Sequence, residues 1–123
     1  MVTSSVEIKG LDSINRKLGS LGPLIIKHVQ QGLLKSGFLV QILAQKKAPV
    51  GKTGLLRANI FVKPHGTLEV TVTADMDYAV HVEFGTFKMK ARPFMRNAIR
   101  EAKKKIIKII KQSIQDAIRE AIR

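Results

Sequence analysis

The sequence predicts an α+β chain, and three observations carry that prediction. A segment from Pro23 to about Lys47 repeats apolar residues at helical spacing. Two short runs of alternating polarity flank a Pro/Gly turn near residue 65, and the stretch from Pro93 to Arg123 contains neither Gly nor Pro. Together they describe a long core helix, a small antiparallel hairpin and a long basic C-terminal helix. At 123 residues the chain fits one domain, with about 1–92 as the α+β core and about 93–123 as a C-terminal helix that partly projects.

Near the start, Val6 and Ile8 alternate with Glu7 and Lys9, enough for a short strand closed by Gly10. Leu11, Ile14, Leu18 and Leu21 then recur at helical spacing, and Gly19 to Pro23 interrupts them. Pro23 suits a helix start, where its missing N–H costs nothing. Leu24, Ile25, Val29, Leu33, Leu34, Phe38, Ile42 and Leu43 make one apolar face of the helix that follows. Gly32, Ser36 and Gly37 weaken this helix but permit close approach of another backbone.

Residues 48–54 read as a loop. Beyond it Ala58, Ile60 and Val62 alternate with polar neighbours, as do Leu68, Val70, Val72 and Ala74, around Pro64-His65-Gly66-Thr67. That pattern is an antiparallel hairpin with one buried face. Met76, Tyr78, Val80, Val82 and Phe84 also alternate, yet Tyr78, His81 and Val82 would share a helical face, so 76–84 fits either element. Residues 85–91 read as an exposed loop and Pro93 as a helix start. Ile99, Ala102, Ile106, Ile110, Ile114, Ala117 and Ala121 then form one stripe, widened by Ile107 and Ile118. Thirty-one helical residues would span ~46 Å at ~1.5 Å each. That exceeds the width of a domain this size, so the helix is expected to project or dock on a neighbour.

Charge is unevenly placed. The chain has 22 Lys+Arg against 9 Asp+Glu, a net +13. Residues 1–86 hold ten basic and six acidic side chains, and residues 87–123 twelve and three, so the excess is +4 and +9 respectively. Such asymmetry fits a polyanionic partner, an acidic protein face or a solvated helix face. No apolar run approaches the ~20 residues of a membrane span, and the N-terminal residues lack the basic and apolar regions of a secretory signal. The absence of cysteine excludes disulfides, thiolate metal sites and cysteine nucleophiles.

Catalytic chemistry finds little support. Gly51-Lys52-Thr53 resembles the end of a phosphate-binding loop, but the required upstream glycine position is Lys46. His28, His65 and His81 lie too far apart for local metal spacing. His81 beside Glu83 could pair as base and partner, but no nucleophile motif accompanies them. The sequence reads as a non-enzyme with no catalytic, cofactor-binding or metal site. A nucleic-acid reading rests on lysines alone, with six aromatics and no recognised DNA- or RNA-binding motif.

Two longer patterns are more specific. Tyr78-Ala79-Val80-His81-Val82-Glu83-Phe84-Gly85-Thr86 is followed by Met89-Lys90-Ala91-Arg92-Pro93-Phe94-Met95-Arg96-Asn97-Ala98. Upstream stand Ala48-Pro49-Val50, Thr53-Gly54-Leu55-Leu56-Arg57 and Gly10-Leu11-Asp12. In order and spacing, over about residues 6–100, the chain resembles the small tail-completion or head–tail joining proteins of long-tailed, non-contractile bacteriophages and related prophages. It departs from that family at Gly51-Lys52, where an acidic residue often precedes the Thr-Gly pair, and in the lysine-rich extension after Arg100.

The resemblance implies a helix packed on an antiparallel sheet, and assembly as a homo-oligomeric ring, of six subunits, in the virion neck. Its implied partners are the head connector and the tail-terminator or tail-tube proteins, with assembly in the host cytoplasm and no membrane contact. Phe87, Lys88, Met89 and Lys90 are then candidate inter-subunit or connector contacts. Ile106, Ile110 and Ile114 are candidates to bury against the domain or a neighbouring subunit. Lys103, Lys104, Lys105, Lys108 and Lys111 would face solvent or passing DNA. Locally, Phe84 is expected to be buried, Gly85 to supply a positive φ and Thr86 to cap. The rival reading, from another class, is a non-specific basic DNA-binding protein.

Overall fold

A computed structural model of the chain describes residues 5–8, 22–49 and 54–122. The helical pattern at 11–21 and the Gly51-Lys52-Thr53 segment lie outside them. Among the described residues seven elements follow in order: strand β1 (Ser5–Ile8), helix α1 (Pro23–Lys47), a helical turn α2 (Leu55–Ala58), strands β2 (Ile60–Pro64) and β3 (Val70–Asp75), short helix α3 (Ala79–Phe84) and helix α4 (Phe94–Ile122). The strands form one antiparallel sheet in the order β1-β3-β2. The α+β class is therefore that of the sequence, and the N-terminal strand adds a third member to the hairpin.

α1 begins at Pro23 and ends with Lys46 and Lys47 in its last turn, where cations complement the helix dipole. Its buried residues, Val29, Gly32, Leu33, Ser36, Gly37, Val40 and Ala44, recur in the i, i+3, i+4 pattern of one helix face. The two glycines lie where other elements press closest. A Cβ on Gly37 would lie 2.7 Å from Val70 Cγ1 and 2.9 Å from Val62 Cγ1, so the sheet sits directly on this turn of the helix. A Cβ on Gly32 would lie within 3.2 Å of the Ser113 Cβ on α4 and nearer still to its hydroxyl. Gly32 and Gly37 are thus contact points for two different layers.

β2 and β3 pair with Ile60 opposite Ala74 and Val62 opposite Val72. β1 joins the other edge of β3, with Val6 opposite Ala74 and Ile8 opposite Val72. The sequence pattern places Ala58 and Leu68 in strands, and both lie outside. Leu55–Ala58 closes a helical turn, and Asn59 N–H donates to the Leu55 carbonyl at 3.0 Å. Leu68 leaves the ladder because its side chain fills a second apolar cluster with Val29, Leu33 and Ile110. The main cluster joins α1, the sheet and α4 through Val40, Ile60, Val72, Phe94, Met95 and Ala98.

α4 runs antiparallel to α1. Lys47 Nζ meets Glu101 Oε2 at 2.6 Å near one end, and His28 Nε2 bonds Glu120 near the other. At ~1.5 Å per residue the two helices are ~37 and ~43 Å long, so each can cover the other almost completely. The helix expected to project lies instead on the chain's own α1. Ala102, Ile110 and Ala117 are buried, with Ile99, Ile106 and Ile114 half-buried beside them. Ile107 and Ile118 do not widen that stripe; both are exposed. No helix among the described residues is long and apolar enough to cross a membrane.

Candidate functional site: an anchored aromatic turn

Residues 79–84, open to either reading in the sequence, form a helix. Ala79, Val82 and Glu83 face inward at i, i+3 and i+4. That face puts a carboxylate inside, and Glu83 is 0% exposed. Its two oxygens accept from the start of α4: Met95 N–H donates to Oε2 at 3.0 Å, and Arg96 N–H donates to Oε1 at 2.9 Å. The Arg96 side chain completes the clamp. Its Nε donates to Glu83 Oε1 at 3.0 Å and its Nη2 to the Glu83 carbonyl at 2.7 Å. Glu83 therefore satisfies backbone donors that a helix N-terminus leaves unpaired, and its negative charge suits that end of the dipole.

Phe84 is not buried as the sequence suggested but 59% exposed. Its ring lies under the Arg96 guanidinium, 4.7 Å from centroid to Cζ, so one arginine holds both neighbours. The buried members of this motif are instead Ala79, Val82 and Glu83 before the loop and Phe94, Met95 and Ala98 after it.

Between those anchors the chain makes a tight turn. Gly85 has φ 77, and a Cβ there would lie 2.7 Å from the Ala91 backbone nitrogen. Thr86 N–H donates to the Met89 carbonyl at 2.8 Å, and Met89 N–H returns to Thr86 O at 3.2 Å. The Thr86 hydroxyl accepts from Lys88 N–H at 3.2 Å, a local turn bond in place of the expected helix cap. Arg92 N–H donates to the Val82 carbonyl at 2.7 Å and closes the base. The result is a two-residue turn that projects Phe87 and Lys88. Phe87 is 96% exposed, and Lys88 Nζ stands 5.5 Å from its ring centroid. Met89 and Lys90 are exposed beside them.

The upstream motif also resolves into contacts. Arg57 Nη2 donates to the Ala48 carbonyl at 3.2 Å, and Gln45 Nε2 donates to the Arg57 carbonyl at 3.3 Å. Gly54 takes the left-handed conformation, φ 65, immediately before α2, and Leu56 is buried. Ala48 and Arg57, nine positions apart in sequence, are thus one structural unit tying the end of α1 to β2.

The chain matches the model of the family described as "Bacteriophage HK97-gp10, putative tail-component" over residues 12–85. It belongs to that family. The match spans α1, the hairpin and α3 as far as Gly85, and so includes the buried Glu83. No curated protein matches the chain. No solved structure matches it either.

The other residues singled out by sequence divide into two groups. Phe87, Lys88, Met89 and Lys90 are brought together on one turn. Ile110 is buried in one of the chain's own apolar clusters, and Ile106 and Ile114, half-buried, pack against it. Lys103, Lys104, Lys105, Lys108 and Lys111 are all exposed. By helical spacing Lys104, Lys108 and Lys111 share one face, and Lys105 and Lys108 flank Ile109 beside α1. His81 is exposed while Glu83 is buried on the clamp, which uses the carboxylate without the imidazole.

Proposed function

We propose that this phage tail-family protein works at the head–tail junction, completing the tail by ring assembly and by docking onto neighbouring virion proteins, without catalysis. Membership of the family supports a tail component of the virion, whose neighbours are other phage structural proteins. The observation that carries the docking role is the Phe87 turn. An aromatic side chain left almost wholly in water is costly unless a partner covers it, and here its backbone is pre-organised by Gly85, the Thr86 and Met89 bonds and the Glu83 clamp. Phe87 and Met89 supply adaptable apolar contact, and Lys88 and Lys90 bias the partner toward an acidic face.

Sedimentation of the purified protein, alone and mixed with its connector and tail-tube neighbours, tests this reading. Assembly with a neighbour, lost in Phe87→Ser with unchanged thermal stability, is the expected outcome. A strict monomer that binds none of them overturns it. A free monomer that assembles only with its neighbours is compatible, since a template can nucleate the ring.

The second reading, non-specific DNA contact, is favoured by the exposed Lys104, Lys108 and Lys111 face of α4. Binding to random duplex that persists at physiological salt and falls steeply above it supports this reading. Weak binding lost at low salt supports docking.

A further inference from the structure

A second surface is separate from the Phe87 turn and independent of it. On the solvent side of the α1 and α4 pair, Phe38, Leu39 and Ile42 of α1 and Ile109 of α4 line an open apolar groove. Phe38 and Ile42 are each about half exposed, on a helix whose residues Val40 and Ala44 are fully used by the core. Lys35, Lys105 and Lys108 stand at its rim. The step from Lys35 to Ile42 is two helical turns, ~10 Å of floor, which fits a short helix laid between two others.

We propose that this groove docks an amphipathic helix of a partner protein, one that carries Asp or Glu beside its apolar stripe. The charge of the site selects that chemistry. Every rim cation is a lysine on an exposed helix face, and apolar floor with a basic rim is the complement of an apolar stripe with acidic flanks. A second copy of this chain is a poor occupant. Its own net charge is +13, so two copies meeting at a lysine rim would oppose like charges. A phosphate backbone would satisfy the lysines but leave Phe38 and Ile42 in water.

The test uses the full chain and a fluorescent synthetic helix of about four turns, ~14 residues, with Leu at i, i+3, i+4 and i+7 and Glu on either side. Two control peptides carry Lys for Glu, or Ser for Leu. The Leu/Glu peptide is expected to bind saturably and gain helical ellipticity. Phe38→Ser with Ile42→Ser should weaken it at least about tenfold. Lys105→Glu with Lys108→Glu, both exposed positions, should reverse the preference toward the Leu/Lys peptide. This second pair keeps the test decisive should the first pair impair folding. Phe87→Ser should bind the peptide normally, which separates this groove from the junction reading. Equal binding of the Ser-for-Leu peptide, or no effect of either double substitution, overturns the proposal. So does self-association of the native chain that Phe38→Ser with Ile42→Ser abolishes and that excludes the peptide, because a second copy is then the occupant.

Discussion

Arg96 grips Glu83 twice, through Nε to the carboxylate at 3.0 Å and through Nη2 to the main-chain carbonyl at 2.7 Å. The pair joins the last turn of α3 to the first turn of α4, so it fixes where the intervening loop leaves and re-enters the domain. A buried ion pair alone is weak support for stability, because desolvation opposes attraction. Here the carboxylate also accepts two backbone N–H groups, so removing it leaves three donors short of an acceptor. Glu83→Gln keeps the shape but has one acceptor oxygen, and its NH₂ would oppose a backbone N–H. A loss of about 2–3 kcal/mol is expected in urea titration, with the slope unchanged.

Gly85 and Phe87 should behave oppositely although they lie two residues apart. Gly85→Ala combines a left-handed backbone with a Cβ 2.7 Å from a main-chain nitrogen, and should cost more than about 2 kcal/mol. Phe87→Ser removes a side chain that touches little of its own domain and should change stability by less than about 0.5 kcal/mol. Thermal melts of the two variants check the contrast.

At most exposed helix positions Gly→Ala stabilises, and at Gly32 and Gly37 it should not. Gly37→Ala drives a methyl into Val62 and Val70 and should cost about 1–3 kcal/mol. Gly32→Ala meets the Ser113 side chain, so Ser113→Ala should relieve part of its cost. A double-mutant cycle in denaturant should give a coupling energy above about 0.5 kcal/mol, whereas Gly37→Ala with Ser113→Ala should add.

The stripe of α4 can be checked with one pair of substitutions. Ile110 is 8% exposed and packs with Val29, Leu33 and Leu68, while Ile107, three residues earlier, is 45% exposed. Ile110→Asp puts an unpaired charge in that cluster and should cost at least about 3 kcal/mol. Ile107→Asp should cost under about 1 kcal/mol. Equal effects on the urea midpoint would mean that α4 does not lie on α1 with this face.

Acid should loosen the other junction of those helices. The hydrogen bond and charge of Lys47 hold the Glu101 carboxyl below its ordinary range, against an opposing effect of desolvation. A depressed folded-state value means the unfolded chain takes up the proton first as pH falls. The contribution is therefore present above the ordinary carboxylate value and is lost as pH drops through the folded one. Since the pair is solvent-exposed, the effect is small and salt-sensitive. Glu101→Gln should flatten that part of the acid limb in pH-dependent melts and leave neutral-pH stability nearly unchanged.

Much of the fold was legible in the order of residues. The 3.6-residue recurrence predicted α1 with both its ends, because Pro23 and the Pro49 region bracket a single apolar face. Period-two alternation around residues 64–67 predicted the β2/β3 hairpin. Helix or strand at 76–84 was not legible, since Met76, Tyr78, Val80, Val82 and Phe84 alternate while Tyr78, His81 and Val82 share a helical face. Burial of Glu83 decides it: only a helix sets Glu83 beside Ala79 and Val82 on the inward face. Glu83 itself was missed as the anchor because a carboxylate reads as a surface residue until its donors are known, and those come from a helix twelve residues later. The groove at Phe38 and Ile42 was equally hidden, since in sequence both belong to the same apolar face as Leu33.

What the sequence alone determined is local: element periods, turn chemistry, the family motifs and a basic C-terminal third. Tertiary structure decided which apolar residues are spent inside. By laying α4 antiparallel on α1 it buried Ile110 and Ala117, left Ile107, Phe38 and Ile42 in solvent, and turned an expected projecting arm into half of a helix pair. The physical reason is that periodicity names a face, but only the docking of a second element fixes how wide that face must be and where it ends.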